Sequence, residues 1–235
     1  MASPRLPCYC INLNERADRW DEIQKTFQGS GIKIQRFSAI KESPGWVGCA
    51  KSHVAVVQMA AEEKMPWVMI VEDDCLLNDA FAKRWPSVKD AAWTCRVEWD
   101  IFLGGPTNIR APISVLESTA PIIEVSHAYA LQFTVIQASA YSRILAWRET
   151  DGPIDFYYAK QLRIATTHPF LAIQQPSYSD IQNGTMDYTK VFIDAENALI
   201  NHLYSFSTRS STIVLVIVSL LALAVLKSRY RRDSF

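Results

Sequence analysis

The stretch Trp67-Val68-Met69-Ile70-Val71-Glu72-Asp73-Asp74-Cys75 decides how the chain is organised. Its apolar residues run directly into three consecutive carboxylates, and the apolar part is typical of a short strand buried on both faces. Adjacent carboxylates repel one another and are costly near a core, so a protein that places them at a strand end usually supplies a cation. The stretch therefore predicts a metal site. A solvated turn whose Asp caps a following helix is the alternative that it leaves open.

The composition indicates one globular unit. The chain has 235 residues, of which 49% are hydrophobic, and this is enough for one sizeable core. Lys plus Arg and Asp plus Glu each number 24, so no net positive field predicts a nucleic-acid partner. The 5 cysteines form no C-x-x-C pair, and their odd number favours buried free thiols in a reducing compartment.

The C-terminal part has a different character. Residues 210–226 carry no charge and consist mostly of Val, Leu, Ile and Ala, and a basic tail, residues 227–235, follows. This length is at the short end of the roughly 17 to 25 residues that cross a bilayer. We expect a single-pass transmembrane helix that anchors the protein to a membrane; a buried helix of the globular domain is the alternative.

The membrane topology has two readings. The positive-inside rule places the basic tail in the cytosol. A tail anchor without a signal peptide instead leaves the large domain there, and the first residues of the chain carry no recognisable signal peptide. The free cysteines favour a cytosolic domain.

Strand-like and helix-like segments alternate along the chain. Strands are predicted at residues 8–13, 32–37, 67–71, 99–103, 129–135 and 170–173. Helices are predicted to begin near residue 18, within residues 45–53, and near residues 138 and 155. This alternation predicts an α/β fold with a mainly parallel sheet, in which ligands bind beyond the carboxyl ends of the strands. We expect one domain over residues 1–182, a peripheral helix and linker over 183–209, and then the transmembrane helix and tail.

Residues 45–53 form a loop that runs into a helix. Two glycines there allow close approach of the backbone, and the helix N-terminus favours an anion. Ser52 and His53 fall in the first turns of this helix. A structural histidine is the alternative to a functional one, and a lone His without a Cys or acid in register is not a zinc signature.

Together these segments resemble glycosyltransferase family 25, the lipopolysaccharide galactosyl- and glucosyltransferases and the collagen galactosyltransferases. The resemblance rests on Ile11-Asn12-Leu13 with Arg16 and Arg19, on the pattern Gly-x-x-Gly-Cys-x-x-Ser-His at residues 45–53, and on Val71-Glu72-Asp73-Asp74. Weaker matches are residues 128–131, 153–155 and 179–181. The matches follow one another in order over residues 8–181. The pattern at residues 45–53, followed by the acids at 72–74, is the specific part of the resemblance.

The resemblance implies a GT-A type, Rossmann-like fold and a role in lipopolysaccharide or other glycan biosynthesis. It implies a nucleotide-sugar donor, a UDP-sugar above all, and transfer of a hexose, galactose or glucose, to a glycan, glycoprotein or glycolipid with inversion. It also implies Mn²⁺ or Mg²⁺ as a cofactor. This agrees with the residues, because a leaving diphosphate needs a cation and hard oxygen ligands suit these ions.

The same resemblance assigns roles to the acids. Asp74 is the first metal ligand, and Glu72 or Asp73 reaches the metal through water or holds the ribose of the donor. Strand alternation places Glu72 and Asp74 on one side and Asp73 on the other. The collagen enzymes carry a histidine shortly before their Ser-Asp element, whereas this chain carries Gln174 and Gln175, so the third metal ligand is open.

Further residues are expected to complete the cleft. The resemblance places Asn12, Arg16 and Arg19 at the nucleotide, where Arg suits phosphate or stacks on a base. Ser52 and His53 would line the same cleft. An inverting transfer needs a base for the acceptor hydroxyl, and Asp155 is the candidate, with helix capping as its alternative role. A solvated loop with Arg–Asp pairs is the alternative for the arginines.

Two other functions compete with this one. A catalytically inactive relative could serve as a membrane-tethered binding or scaffold protein, which the open third ligand suggests. A phosphoryl-transfer enzyme is disfavoured because neither a P-loop nor the kinase motifs occur in the sequence.

Overall fold

A computed structural model of the protein describes residues 3–110, 112–118, 120–179 and 184–207. The predicted transmembrane helix, the basic tail and Asp180 lie outside these residues. No helix within the described ranges is long and apolar enough to span a bilayer. The strands are β1 Cys8–Asn12, β2 Ile34–Ser38, β3 Trp67–Glu72, β4 Cys75–Leu77, β5 Ile101–Leu103, β6 Pro112–Glu117, β7 Ile122–Val125, β8 Phe133–Gln137, β9 Ile164–Thr167, β10 Ala172–Gln174, β11 Ser177–Ser179 and β12 Gly184–Met186. The α-helices are α1 Ala17–Thr26, α2 Gly45–Glu62, α3 Phe81–Thr94, α4 Tyr141–Leu145, α5 Ile154–Gln161 and α6 Thr189–Ser207.

The main sheet has 8 strands in the order β2-β1-β3-β8-β5-β9-β7-β6. The pairings β1–β2, β1–β3 and β5–β9 are parallel. The pairings β3–β8, β5–β8, β7–β9 and β6–β7 are antiparallel. The predicted Rossmann-like α/β fold is confirmed, but the sheet is mixed rather than mainly parallel. The physical reason is that β8 and β7 run against the other strands, which all point in one direction.

Strand β3 explains why the sheet is covered on both faces. Its apolar residues are buried, and successive side chains point to opposite faces. Val68 and Ile70 pack in a core with α2, α4 and α5. Trp67, Met69 and Val71 pack in a second core with α1 and α3. The prediction of a strand buried on both faces is confirmed.

A short ribbon of β4 and β10 lies beyond the carboxyl end of β3. Gln174 of β10 pairs with Cys75, the residue that follows the carboxylates. The ribbon can pass close to β5 because Gly105 lacks a side chain: an added Cβ would lie 1.8 Å from the carbonyl oxygen of Ala172. This close approach brings Gln174 to the acidic turn.

Helix α6 packs against the same domain. Phe192, Ala195 and Leu199 are buried in its interface. The Glu196 carboxylate accepts a hydrogen bond of 2.6 Å from the Phe170 backbone N–H and lies 3.1 Å from His168 Nδ1. The helix is thereby fixed to the segment that leads into β10.

Candidate functional site: an acidic cleft at the strand ends

The carboxyl ends of β1 and β3 lie side by side, because the two strands are parallel and paired. Asn12 ends β1, and Glu72 ends β3 with Asp73 and Asp74 in the turn that follows. A cleft of about 210 Å³ opens at this edge. Its lining includes Arg19, Cys49, Glu72, Asp73, Asp74 and Gln174.

All three carboxylates line this one cleft, which differs from the expected alternation. The reason is that β3 ends at Glu72, so the period of two does not continue through Asp73 and Asp74. The Asp73 and Asp74 carboxylates lie 2.7 Å and 4.0 Å from the same Arg19 nitrogen. Three acids therefore face one space.

Asp73 is held by protein groups. Its carboxylate accepts hydrogen bonds of 2.6 Å from Asn12 Nδ2 and 2.7 Å from an Arg19 guanidinium nitrogen. Arg36 donates to Asn12 Oδ1 at 2.8 Å, which orients the amide. Burial raises the pKa of Asp73, although the bonds from Asn12 and Arg19 oppose the shift. Asn12 and Arg19 thus fix the acidic turn in place.

Arg16 lies in the loop between β1 and α1. Its guanidinium pairs with Asp18 at 2.9 Å, and its backbone carbonyl accepts a 3.0 Å bond from Asn12 Nδ2. Arg16 therefore supports the site through its backbone.

Asp74 has one satisfied and one unsatisfied oxygen. Its Oδ2 accepts a 2.7 Å hydrogen bond from Gln174 Nε2, whereas its Oδ1 is buried without a hydrogen-bond partner in the described residues. Burial, with the charges of Glu72 and Asp73, raises the pKa of Asp74 to about 7. A buried carboxylate oxygen of this kind is costly unless it is protonated or bound to a cation. The donor set fits Mn²⁺ or Mg²⁺.

Glu72 faces helix α2. The Cys49 thiol donates to Glu72 Oε1 at 3.8 Å, and His53 Nε2 lies 3.4 Å from the same oxygen. The three ligand atoms lie within 4.8 Å of one another, and they could hold a metal ion. A sulfur, nitrogen and oxygen set suits Zn²⁺ better than Mn²⁺. Glu72 therefore belongs to two candidate ligand sets.

The expectation that His53 has no Cys or acid in register is wrong. Cys49 and His53 are four residues apart on α2, so they share a helix face, and Glu72 meets them from β3. The i, i+4 spacing is the signal in the sequence that could have identified Cys49. Burial raises the pKa of the Cys49 thiol, and the charge of Glu72 adds to this effect. The thiol is thus a hydrogen-bond donor that helps to orient Glu72.

Ser52 is a buried residue of α2 that lines the cleft, as predicted. Its hydroxyl donates to the Gly48 carbonyl at 2.7 Å and accepts from the Ile40 backbone N–H at 2.8 Å. Gly48 is needed here because an added Cβ would lie 2.3 Å from the Ile40 carbonyl oxygen. The two residues hold the loop before α2 against the helix.

Asp155 lies in the first turn of α5. Tyr158, which is three residues on and so on the same face, packs edge-on against His53 with ring centroids 6.1 Å apart. Burial raises the pKa of Asp155, the charge of Glu72 adds to this, and the backbone N–H of Phe156 and His53 oppose it. Asp155 is therefore electrostatically coupled to Glu72. Its Oδ1 accepts a 2.9 Å bond from the N–H of Phe156, the next residue in the first turn of α5, whereas the N-cap residue is Pro153.

Comparison with known proteins places this geometry in context. Residues 43–97 match the model of glycosyltransferase family 25, described as LPS biosynthesis protein. These residues contain α2, β3 and the three carboxylates. The match covers 55 of the 235 residues, so the similarity to this family concerns that part of the chain. Asn12, Arg19, Asp155 and Gln174 lie outside the matched residues.

A curated protein is similar over a longer part of the chain. Human procollagen galactosyltransferase 2 is 20% identical over 151 residues, which are 52% of this chain and 24% of the human protein. The matched part of the chain thus spans about a quarter of the length of that relative.

Solved structures show weaker likenesses. A197 from STIV has a TM-score of 0.45 at 13% identity, covering 73% of this chain and 85% of its own. A glycosyltransferase involved in glycosylation of the major capsid of PBCV-1 has a TM-score of 0.39 at 11% identity, covering 60% and 64%. UDP-glucose pyrophosphorylase complexed with UDP-glucose has a TM-score of 0.37 at 9% identity, covering 80% and 72%.

Proposed function

We propose that this protein belongs to glycosyltransferase family 25 and is a metal-dependent hexosyltransferase of GT-A type. It takes a hexose, galactose or glucose, from a nucleotide sugar such as a UDP-sugar and transfers it to a hydroxyl group of a glycan, glycoprotein or glycolipid. The observation that carries the proposal is the buried Oδ1 of Asp74, which has no hydrogen-bond partner among the described residues and lies in a cleft shared with Glu72 and Asp73. A site of this kind is suited to a cation, and a cation is what a leaving diphosphate requires.

Each acid has a separate role in this proposal. Asp74 and Glu72 hold Mn²⁺ or Mg²⁺, which when bound neutralises the charge that develops on the diphosphate. Asp73, fixed by Asn12 and Arg19, sets the position of the turn and faces the donor. Gln174 donates a hydrogen bond to Oδ2 of Asp74, so that Oδ1 is directed away from Gln174.

Asp155 is the proposed base. Its carboxylate takes the proton of the acceptor hydroxyl while that oxygen forms a bond to the anomeric carbon and the bond to the nucleoside diphosphate breaks. Attack opposite to the leaving group inverts the configuration. The raised pKa of Asp155 brings it closer to neutral pH, where a base of this kind is most effective.

The metal requirement is directly testable. Full-length protein in detergent, given a panel of nucleotide hexoses, should release a nucleoside diphosphate from at least one donor when Mn²⁺ is present. EDTA should abolish the release, and added Mn²⁺ should restore it. Release that is unaffected by EDTA, or no release from any donor, would contradict the proposal.

The inactive scaffold is a second candidate, and one observation favours it. The neutral amide of Gln174, which cannot replace a histidine as a nitrogen ligand, contacts Asp74. A scaffold would bind Mn²⁺ and nucleotide sugar without turnover, and turnover in the assay above excludes it.

Membrane attachment through residues 210–226 is also a proposal. Its support is the uncharged sequence and the basic residues that follow it. Removal of residues 210–235 should move the protein from the membrane to the soluble fraction, and retention in the membrane would contradict a simple anchor.

A further inference from the structure

Three aromatic rings form a cluster next to α5. The rings of His127 and Tyr129 have centroids 4.6 Å apart, and those of Tyr129 and Phe156 are 4.8 Å apart. Phe156 is 51% exposed, which is high for a side chain of this size and apolarity. An exposed phenylalanine continuous with two further rings marks a binding surface more often than an isolated exposed residue does.

The backbone holds Tyr129 firmly in this cluster. Its N–H and carbonyl exchange hydrogen bonds of 3.0 Å and 2.9 Å with Thr107. The next residue, Ala130, has a φ of 75°, in the left-handed region that non-glycine residues rarely adopt. Backbone strain of this kind persists where the surrounding structure fixes it, and it is concentrated at functional sites.

The cluster adjoins the proposed base. Phe156 follows Asp155 directly at the start of α5, and its backbone N–H donates to the Asp155 carboxylate at 2.9 Å. The charge of Glu72 in the acidic cleft acts on Asp155, whereas the ring of Phe156, the next residue of α5, packs against Tyr129. The ring cluster therefore begins one residue after Asp155, on the side of α5 that contacts Tyr129. A base must lie within hydrogen-bond reach of the acceptor hydroxyl, so the acceptor has to occupy space beside Asp155.

We propose that Phe156, Tyr129 and His127 bind a pyranose ring of the acceptor. The inference rests on the proposed function and names the acceptor subsite of that reaction. A pyranose has one face of C–H groups, and an aromatic ring packs against such a face, while the Tyr129 hydroxyl can form a hydrogen bond to a sugar hydroxyl. Carboxylates and Arg19 dominate the acidic cleft instead, which suits the charged donor. The two substrates thus approach Asp155 from chemically different surfaces.

Kinetics of a matched set of variants tests the subsite. Phe156→Ala should raise the KM for the acceptor by about tenfold with kcat largely kept. Phe156→Tyr, which keeps an aromatic ring, should have an acceptor KM close to that of the wild type. Metal-dependent hydrolysis of the donor by water should be unchanged, because the donor does not touch the rings. Val97→Ala is the control, since Val97 is 72% exposed in the short 3-10 helix Arg96–Glu98, before the opposite end of β5.

Saturation-transfer NMR with a panel of methyl hexopyranosides, in the presence of UDP and Mn²⁺, supplies a readout besides turnover. At least one glycoside should receive saturation on its ring protons from the wild type, and Phe156→Ala should lose most of it. Donor hydrolysis with no glycoside bound, or binding that Phe156→Ala leaves unchanged, overturns the subsite but not the transferase. Binding of a fatty acyl chain or a peptide to the rings in place of every glycoside also overturns it. Absence of donor hydrolysis in the wild type overturns the transferase itself.

Discussion

Asp74→Asn should abolish sugar transfer and leave the fold intact. Activity should fall by at least about 10²-fold to 10³-fold, because the metal loses its main anionic ligand at the point where diphosphate charge develops. The substitution is nearly isosteric, and the Asn carbonyl oxygen can still accept the hydrogen bond from Gln174. We therefore expect the fold to be kept, and in EDTA the variant should be at least as stable as the wild type because the buried charge of Asp74 is removed. Turnover of a nucleotide sugar and thermal unfolding measure the two effects.

The pH dependence of stability separates this explanation from a general loss of structure. The pKa of Asp74 is raised in the folded protein, from 3.8 to about 7, so the folded state binds more protons than the unfolded state between these values. In EDTA, the contribution of Asp74 therefore makes stability fall as pH rises through this window. Asp74→Asn should remove that contribution. Full transferase activity in the variant would contradict the assignment of Asp74.

Asp100→Asn is the matched control. Asp100 is fully buried just before β5, at the opposite edge of the sheet from the acids, and it accepts two hydrogen bonds from Arg143, of 2.6 Å and 2.9 Å. The Arg163 backbone N–H donates a further bond of 2.8 Å. Loss of these charge-assisted bonds should cost about 2 to 3 kcal/mol of stability while the activity of the folded fraction is kept. Asp100→Asn should thus lose stability and keep activity, whereas Asp74→Asn should lose activity and keep stability.

Asp155→Asn should reduce transfer by about 10²-fold to 10⁴-fold, the range typical of a lost general base. The charges of Asp155 and Glu72 interact, but Asp155 is not one of the proposed metal ligands. Binding of donor and metal should therefore be kept in the variant. In the wild type, kcat/KM should fall as pH falls through the pKa of Asp155, which burial raises above the usual value for aspartate. This acidic limb should be absent from the residual activity of the variant. Unchanged transfer by Asp155→Asn would leave helix capping as its role.

The elements with a strong local signal could be predicted from the sequence. Residues 67–71 are continuously apolar, and this pattern needs no tertiary information to indicate a strand buried on both faces. A helix after a loop within residues 45–53 was also predicted, but α2 already begins at Gly45. The closeness of Asn12 to the carboxylates followed from the rule that parallel strands end at the same edge.

Other features depend on contacts that one sequence does not reveal. Helix α3 escapes prediction because Pro86 lies inside it and weakens the helical pattern. The antiparallel direction of β8 depends on how the chain returns, which its five buried residues do not encode. Gln174 reaches Asp74 only because β10 pairs with β4, across a separation of 100 residues. Cys49, which also contacts Glu72, could have been identified from the sequence because it lies four residues before His53 on the same helix face.

The most direct test of the central claim is calorimetric binding of UDP to the full-length protein, with Mn²⁺ and then with EDTA. Four acidic residues, Glu42, Glu72, Asp73 and Asp74, line the cleft against two basic ones, Arg19 and Lys41, so a diphosphate should be repelled unless a cation is present. We predict that UDP binds with Mn²⁺, that binding is lost in EDTA and in Asp74→Asn, and that Asp100→Asn retains it. Equal binding of UDP in EDTA, or undiminished binding by Asp74→Asn, would contradict the proposed metal and diphosphate site.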